Sequence, residues 1–389
     1  MKITGIICEY NPLHLGHKKQ IDTIRSLQGA DSGIVCLMSG NFVQRGAPAI
    51  VHKMHRAKAA VLCGADLVLE LPVTYALSSA EGFAAGGVSL LSGFCNTLCF
   101  GAENASQDLL LSTADALLHK DFPETLRRQL DLGLSFPAAR EAALEAMGAD
   151  TTALKSPNNI LAVEYCKAIL TQDSSLQILP IYRGGSYHDT AADPENPSAT
   201  ALRKLMHRGE IWQQYVPQEA RATLGAATLH SIAAAERAIL ARLRCMTDSE
   251  FEALPYGSEG LWRKFMHAVR KEADIESILT ATKSKRYTRS RLDRMLLCAF
   301  LGITREDMLQ PAPYARVLAF NQRGRDILKI ARACGSFPNI GQRLEHPWQV
   351  KEDRWGDLYG LCAVDSPEAP GMEASLRVYN HKETAYEEI

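Results

Sequence analysis

The sequence predicts an α/β fold, with an open parallel sheet in the first half of the chain and a mostly helical second half. Three observations carry this. Short continuous apolar runs, the pattern of strands buried on both faces, recur along the first half. Segments of helical spacing separate them, and such alternation implies a parallel sheet with helices on both faces. Beyond about residue 212 strand signals become few and amphipathic helical patterns take over.

The elements follow in order. "KITGIIC" (2–8) is an apolar, β-branched first strand, and "HLGHKKQIDTIRSL" after it places Ile21, Ile24 and Leu27 on one helical face. "SGIVCLMSG" (32–40) is a second strand, and "HKMHRAKAAVLCG" (52–64) a helix stopped at Gly64. "DLVLELP" (66–72) and "NTLCFG" (96–101) are the third and fourth strands, joined by a small-residue helix. Helices are expected at 106–120, 124–147 and 158–172, then a fifth strand, "LQILPIYR" (176–183). Four amphipathic patterns between 229 and 303 fill the helical part, and the tail from about 366 reads as partly irregular. The expected division is 1–212 and 213–389.

The 389 residues are 46% apolar and 22% charged, with a formal net charge of −1, so no global field draws the chain to nucleic acid or membrane. Ten cysteines without a C-x-x-C pair, most inside apolar runs, read as small buried hydrophobes in a reducing cytosol. There is no signal-peptide pattern at the start and no run of the roughly 20 apolar residues a membrane span needs. The chain is therefore expected in the cytoplasm.

The first loop holds the most informative stretch, "EYNPLHLGH" (9–17). Pro12 ends the strand and biases Asn11 to an extended shape. Gly16 removes a side chain where the chain turns into a helix, so a polyphosphate can approach the backbone N–H groups. His14 and His17 flank that turn; each can donate to phosphate oxygens and, protonated, supply charge that stabilises a departing pyrophosphate. Alone, these are also what ordinary capping histidines look like. A second segment, "NPSATALRKL" (196–205), offers Ser198 as an N-cap, Thr200, and Arg203 one turn on. Asn158 and Asn159 open a helix after Pro157, where they either read an adenine edge or ribose or simply cap it. Arg183 and Gly184 close the fifth strand, a place suited to phosphate or an adenine stack and equally to a surface turn.

The run "KSKRYTRSRLDR" (283–294) gathers Lys283, Lys285, Arg286, Arg289, Arg291 and Arg294 around Tyr287, against the single acid Asp293. Arg323 adds to it from "FNQRGRDILK" (320–329). Such a run is either a solvated helix face or a local RNA-binding patch with an aromatic for stacking.

In its location after the first strand, the "H-x-G-H" stretch resembles the HxGH nucleotidyltransferase superfamily of Rossmann-like enzymes. The combination of "EYNPLHLGH", "SGNFVQRG" (39–46), "GADLVLELP" (64–72) and "PNNILAVEY" (157–165) is similar to the tRNA(Met) cytidine acetate ligase family. The resemblance runs from residue 1 to about 210 and more weakly beyond. One departure is Ala199, where a second hydroxyl often stands in the "S-[ST]-x-x-[IL]-R" segment.

The resemblance implies an ATP-dependent ligase that makes acetyl-adenylate, releases pyrophosphate and acetylates N4 of the wobble cytidine of elongator tRNA(Met). It implies His14, His17, Lys18 and Arg203 as the groups that neutralise pyrophosphate. The implied ATP contacts are Ile7, Asn11, His14, Gly16, His17, Gln20, Gly101, Asn158, Asn159, Arg183, Gly184, Ser198 and Thr200. Asn41, Gln44 and Arg45 are the expected acetate loop. No metal-ligand cluster stands out, so Mg²⁺ is expected to arrive with ATP. The basic run at 283–294 with Arg323 is the expected tRNA surface, and no protein partner is implied. A small-molecule nucleotidyltransferase and a non-catalytic RNA-binding protein are the competing readings. The helical second half argues against the first, and the intact motifs argue against the second.

Overall fold

The computed structural model describes residues 1–183, 198–284, 286–311, 314–334, 347–373 and 377–381, together with the backbone of 385–388. Its strands are β1 (Ile3–Cys8), β2 (Gly33–Ser39), β3 (Phe42–Val43), β4 (Ala47–Pro48), β5 (Leu67–Leu71), β6 (Thr97–Ala102), β7 (Gln177–Tyr182), β8 (Val317–Phe320), β9 (Arg377–Asn380) and β10 (Ala385–Glu388). The five expected strands are β1, β2, β5, β6 and β7. They form a parallel array within one eight-stranded sheet of order β10-β9-β8-β5-β2-β1-β6-β7. Their apolar runs are continuous because both faces are covered. Val35, Leu37, Leu67 and Leu69 face one core, Ile34, Cys36, Met38 and Val68 the other.

The first core is closed by the helices Ala80–Leu91, Gln107–Leu118 and Pro157–Thr171. The second is closed by α1 (Leu15–Gln28), α2 (Lys53–Leu62), Ala199–His207 and Gln218–Gly225. The helix expected over 124–147 is two, Phe122–Asp131 and Phe136–Ala146. Gly133, at φ 84°, and a proline in the first turn of the second helix separate them.

After residue 212 helices dominate, with a core of their own built on Ile239, Leu243, Phe265, Leu296 and Trp355. Yet the chain returns to the first sheet. β8 pairs antiparallel with β5, and β9 and β10 follow it, so the expected division at 212/213 cuts through one sheet. "VLAF" is four residues long, too short for periodicity to separate strand from helix. The helical part also docks on the β3–β4 hairpin. Gly46 sits at φ 81°, and a Cβ there would lie 2.4 Å from the Arg294 backbone nitrogen, so only glycine fits. All ten cysteines are unbonded, seven of them buried. No helix among the described residues is long and apolar enough to cross a membrane.

A buried ionic network fastens the C-terminal segment to the carboxyl end of β5. Lys53, 3% exposed, reaches Glu70 at 2.8 Å and Glu373 at 2.7 Å. Arg316, which precedes β8, bonds Glu373 and also reaches Glu352 at 2.9 Å. Burial raises the Glu373 carboxyl, but Lys53 and Arg316 outweigh it and hold it at about 2. Removing one partner of such a network leaves an uncompensated buried charge. Lys53→Met should therefore destabilise the protein by about 3–5 kcal/mol at pH 7, read as a lower urea midpoint. A carboxyl held below its unfolded value stabilises the fold above that value and loses the effect as pH falls towards 2. The gap between wild type and Lys53→Met should thus narrow below about pH 4.5, the carboxyl's ordinary value. A gap constant down to pH 3 would show that Lys53 acts only by packing.

Candidate functional site

The order β5-β2-β1-β6-β7 reverses direction between β1 and β6, and in open α/β sheets ligands bind outside the carboxyl ends at such a switch point. The loops after β1, β6 and β7 meet there. Tyr10, buried at φ 45°, turns the chain out of β1 in a conformation uncommon for a bulky residue. His14 then caps α1. Its Nδ1 accepts from the Gly16 N–H at 3.1 Å, while His17 Nδ1 accepts from the His14 N–H at 3.3 Å. The two rings stack 3.7 Å apart.

This reciprocal cap sets the chemistry of both rings. With each Nδ1 accepting, each ring carries its proton on Nε2. Burial, then Arg183 and Arg203, pushes His14 down to about 3, and burial, His14 and Arg183 push His17 well below its ordinary value. The expectation that the histidines supply positive charge is corrected here: they are neutral donors at pH 7. His14 is 1% exposed, and its Nε2 has no hydrogen-bond partner among the described residues. A buried donor without an acceptor is costly and calls for a ligand.

The positive charge comes from arginines. Arg203 donates from Nη1 to the Asn11 carbonyl at 2.7 Å and from Nη2 to Thr200 Oγ1 at 3.1 Å, tying the helix Ala199–His207 to the β1–α1 loop. Ser198 caps that helix by accepting from the Ala201 N–H at 3.1 Å. Two helix N-termini therefore face the same space, each with backbone donors suited to an anion. Arg183 follows β7 and lies beside Gly101. A Cβ on Gly101 would touch the Arg183 side chain at ordinary distances, the nearest 3.5 Å.

Other expected contacts have partners within the chain. Lys18 pairs with Asp22 at 2.5 Å along α1. Ile7 packs on Gly87, and Gln20 approaches Cys99 Sγ at 3.6 Å. Asn158 donates to Glu103 at 2.7 Å. Asn159, 1% exposed, accepts from the N–H groups of Glu103 and Asn104 at 2.8 and 3.1 Å. Both amides are thus spent on shaping the turn after β6. Asn41 accepts from the Lys53 N–H at 3.0 Å, and Gln44 is held to the Ser78 carbonyl at 3.4 Å, leaving exposed Arg45 at the tip of the hairpin. Gly184 and Lys285 lie outside the described residues.

The basic run is partly neutralised. Arg286 pairs with Glu259 at 2.9 Å, Arg289 makes a bidentate pair with Glu276 at 2.7 Å, and Arg291 bonds the Tyr256 carbonyl and lies over the Tyr287 ring. Lys283 is exposed at the end of its helix. Two members leave the set. Arg294 is 7% exposed and donates to the Gln44 carbonyl at 3.2 Å, so it is structural. Arg323 faces Asp66 at 3.4 Å, at the amino end of β5 and hence the opposite edge of the sheet.

Sequence reasoning missed Arg56, Glu9 and Glu103. Arg56 is fully buried and donates to the carbonyls of Val51, Glu9, Ser39 and Gly40, bracing the loops after β1 and β2. Glu9 accepts from the Gln44 N–H at 2.9 Å. Arg56 hid inside an ordinary helical pattern, whereas Glu103 directly follows the fourth strand and was legible by position.

Comparison with known proteins agrees with this geometry. The family model described as HIGH Nucleotidyl Transferase matches residues 1–358. A tRNA(Met) cytidine acetate ligase of Clostridium novyi is 38% identical, covering 87% of this chain and 89% of that one. One of Clostridium kluyveri is 39% identical over the same shares. The crystal structure of Thermotoga maritima TmcAL bound with alpha-thio ATP superimposes with a TM-score of 0.86 at 28% identity, covering 98% of this chain and 100% of that one. Its apo form gives 0.87.

The cap geometry makes a direct prediction. Both imidazoles should stay neutral and protonated at Nε2 from pH 5 to 8, with His14 titrating only near pH 3. Nitrogen-15 NMR of the ring atoms checks this, and a ring titrating near its ordinary 6.5 would refute the buried capping arrangement.

Proposed function

The chain belongs to the HIGH nucleotidyl transferases and, among them, to the tRNA(Met) cytidine acetate ligases, and on that basis we propose how its site works. ATP and acetate form acetyl-adenylate, and the acetyl group passes to N4 of the wobble cytidine of elongator tRNA(Met), giving N4-acetylcytidine. The observation that carries this reading is the unpartnered, buried Nε2 of His14, set between two helix N-termini and beside Arg183 and Arg203.

In the first step an acetate oxygen attacks the α-phosphorus and the bond to pyrophosphate breaks. Acetate and ATP are both anions, so the site must offset their repulsion. His14 and His17 donate from Nε2 to phosphate oxygens, and Arg183, Arg203 and the two helix N-termini supply the positive field. Neutral donors suit this place, because a buried imidazolium beside two arginines is unfavourable. Arg45, at the tip of the expected acetate loop, is exposed, and its charge acts on Arg203. No group of three or more His, Cys, Asp or Glu among the described residues could hold a metal, so Mg²⁺ would come with the phosphates and water. In the second step N4 attacks the acyl carbon, the bond to AMP breaks, and N4 gives up a proton. Lys283, Arg286 and Arg289 are exposed and would guide the tRNA backbone.

His17→Ala should lower acetate-dependent ATP–pyrophosphate exchange by about 10²–10³, the worth of one such donor. Exchange near the wild-type rate would remove His17 from the first step. Labelled acetate with ATP should label tRNA. Label entering only from acetyl-CoA would overturn the proposed chemistry.

A further inference from the structure

One cleft borders the site and shares Thr200 and Arg203 with it. It measures about 370 Å³ and lies between the β3–β4 hairpin, the helix Ala199–His207 and the segment around Ser231. Arg203 is the wall it shares with the nucleotide side, since the same guanidinium reaches the Asn11 carbonyl at 2.7 Å. Its two sides differ in character. Pro48 and Ile232 line one side, while Lys204, His207 and Arg208 extend from Arg203 along one stripe of the helix and its end. No acidic residue among the described ones lines it. Lys204 and His207 are exposed and face no carboxylate among the described residues. Arg208 faces Glu210 at 3.7 Å. The run at 283–294, by contrast, is largely engaged with Glu259, Glu276 and backbone carbonyls.

Chemistry on the exocyclic amine of a base requires that base to leave its stack and enter a pocket. In a single-stranded loop this costs little, and apolar walls then hold the base while cations hold its phosphates. We propose that this cleft takes in the unstacked nucleotide of the RNA acceptor, its base against Pro48 and Ile232 and its flanking phosphates on Lys204 and Arg208. The inference rests on the tRNA reading above and adds the place where the reacting base enters. Arg203 then separates the two substrates by the width of one side chain, which brings the amine to the adenylate. His207, held below its ordinary value by partial desolvation of its ring and by Arg203, is a neutral donor or acceptor for the base edge.

Two variants test this in the full-length protein. Lys204→Glu with Arg208→Glu changes only exposed side chains, and Ser231→Trp fills the cleft. The charge reversal should weaken binding of elongator tRNA(Met) at least tenfold. It should also flatten the salt dependence by about 0.7–0.9 per lost phosphate contact. Ser231→Trp should slow acetyl transfer at least tenfold while leaving tRNA affinity within about threefold, a split that general unfolding would not give. Acetate-dependent pyrophosphate exchange without RNA should stay within about twofold of wild type in both. Wild-type transfer by both variants overturns the cleft assignment. Exchange that falls in step with transfer also overturns it, by placing the cleft in the nucleotide site. Wild-type protein that exchanges pyrophosphate but acetylates no tRNA overturns the acceptor reading itself, and the cleft with it.

Discussion

Everything at the carboxyl end of this sheet depends on the Arg56 guanidinium. It is fully buried, and the partners it has are the main-chain carbonyls of Val51, Glu9, Ser39 and Gly40. Burying a cation is expensive, and burial duly lowers its pKa, but four charge-assisted bonds in fixed directions offset that cost. The planar fork of arginine meets several carbonyls at once, which a lysine ammonium on a flexible stem does not. Through Glu9 it sets the exit of β1, and through Ser39 and Gly40 the exit of β2. The loop that carries the histidine pair and the hairpin that carries Arg45 therefore share one anchor.

On that anchor sits a site whose electrostatics are unbalanced without ligand. Arg183 and Arg203 both act on His14, and Arg45 acts on Arg203. Neighbouring carboxylates are partly committed elsewhere, Glu9 to the Gln44 N–H and Glu103 to Ser156 and Asn158. A polyphosphate would supply that negative charge and those acceptors in one molecule. The neutral histidines fit this scheme: they add direction, while the arginines and helix N-termini add field.

The parallel strands and the histidine motif were legible in the sequence because each is a local pattern. Runs buried on both faces read as continuous apolar stretches, and the H-x-G-H spacing is itself the capping geometry. What stayed hidden depends on distant neighbours. Burial and two arginines far along the chain set the protonation of His14, and Arg294 looks like a surface charge until the Gln44 carbonyl is placed beside it. Asn159 reads from the sequence as a helix-opening amide, but its partner at 103 is 56 residues away, and only the fold reveals that its amide is occupied. β8 escaped because four residues carry no period, and its strand character comes from pairing with β5.

That pairing orders events in time. Leu67 is opposed by Phe320, so the edge of β5 stays open until most of the chain has left the ribosome. Long-range pairings of this kind form late, because a large loop must close before they return any contact energy. The same late segment delivers Glu373 to Lys53, beside the Gly40 turn that Arg56 braces. A nascent or truncated chain thus carries the histidine motif without its finished surroundings.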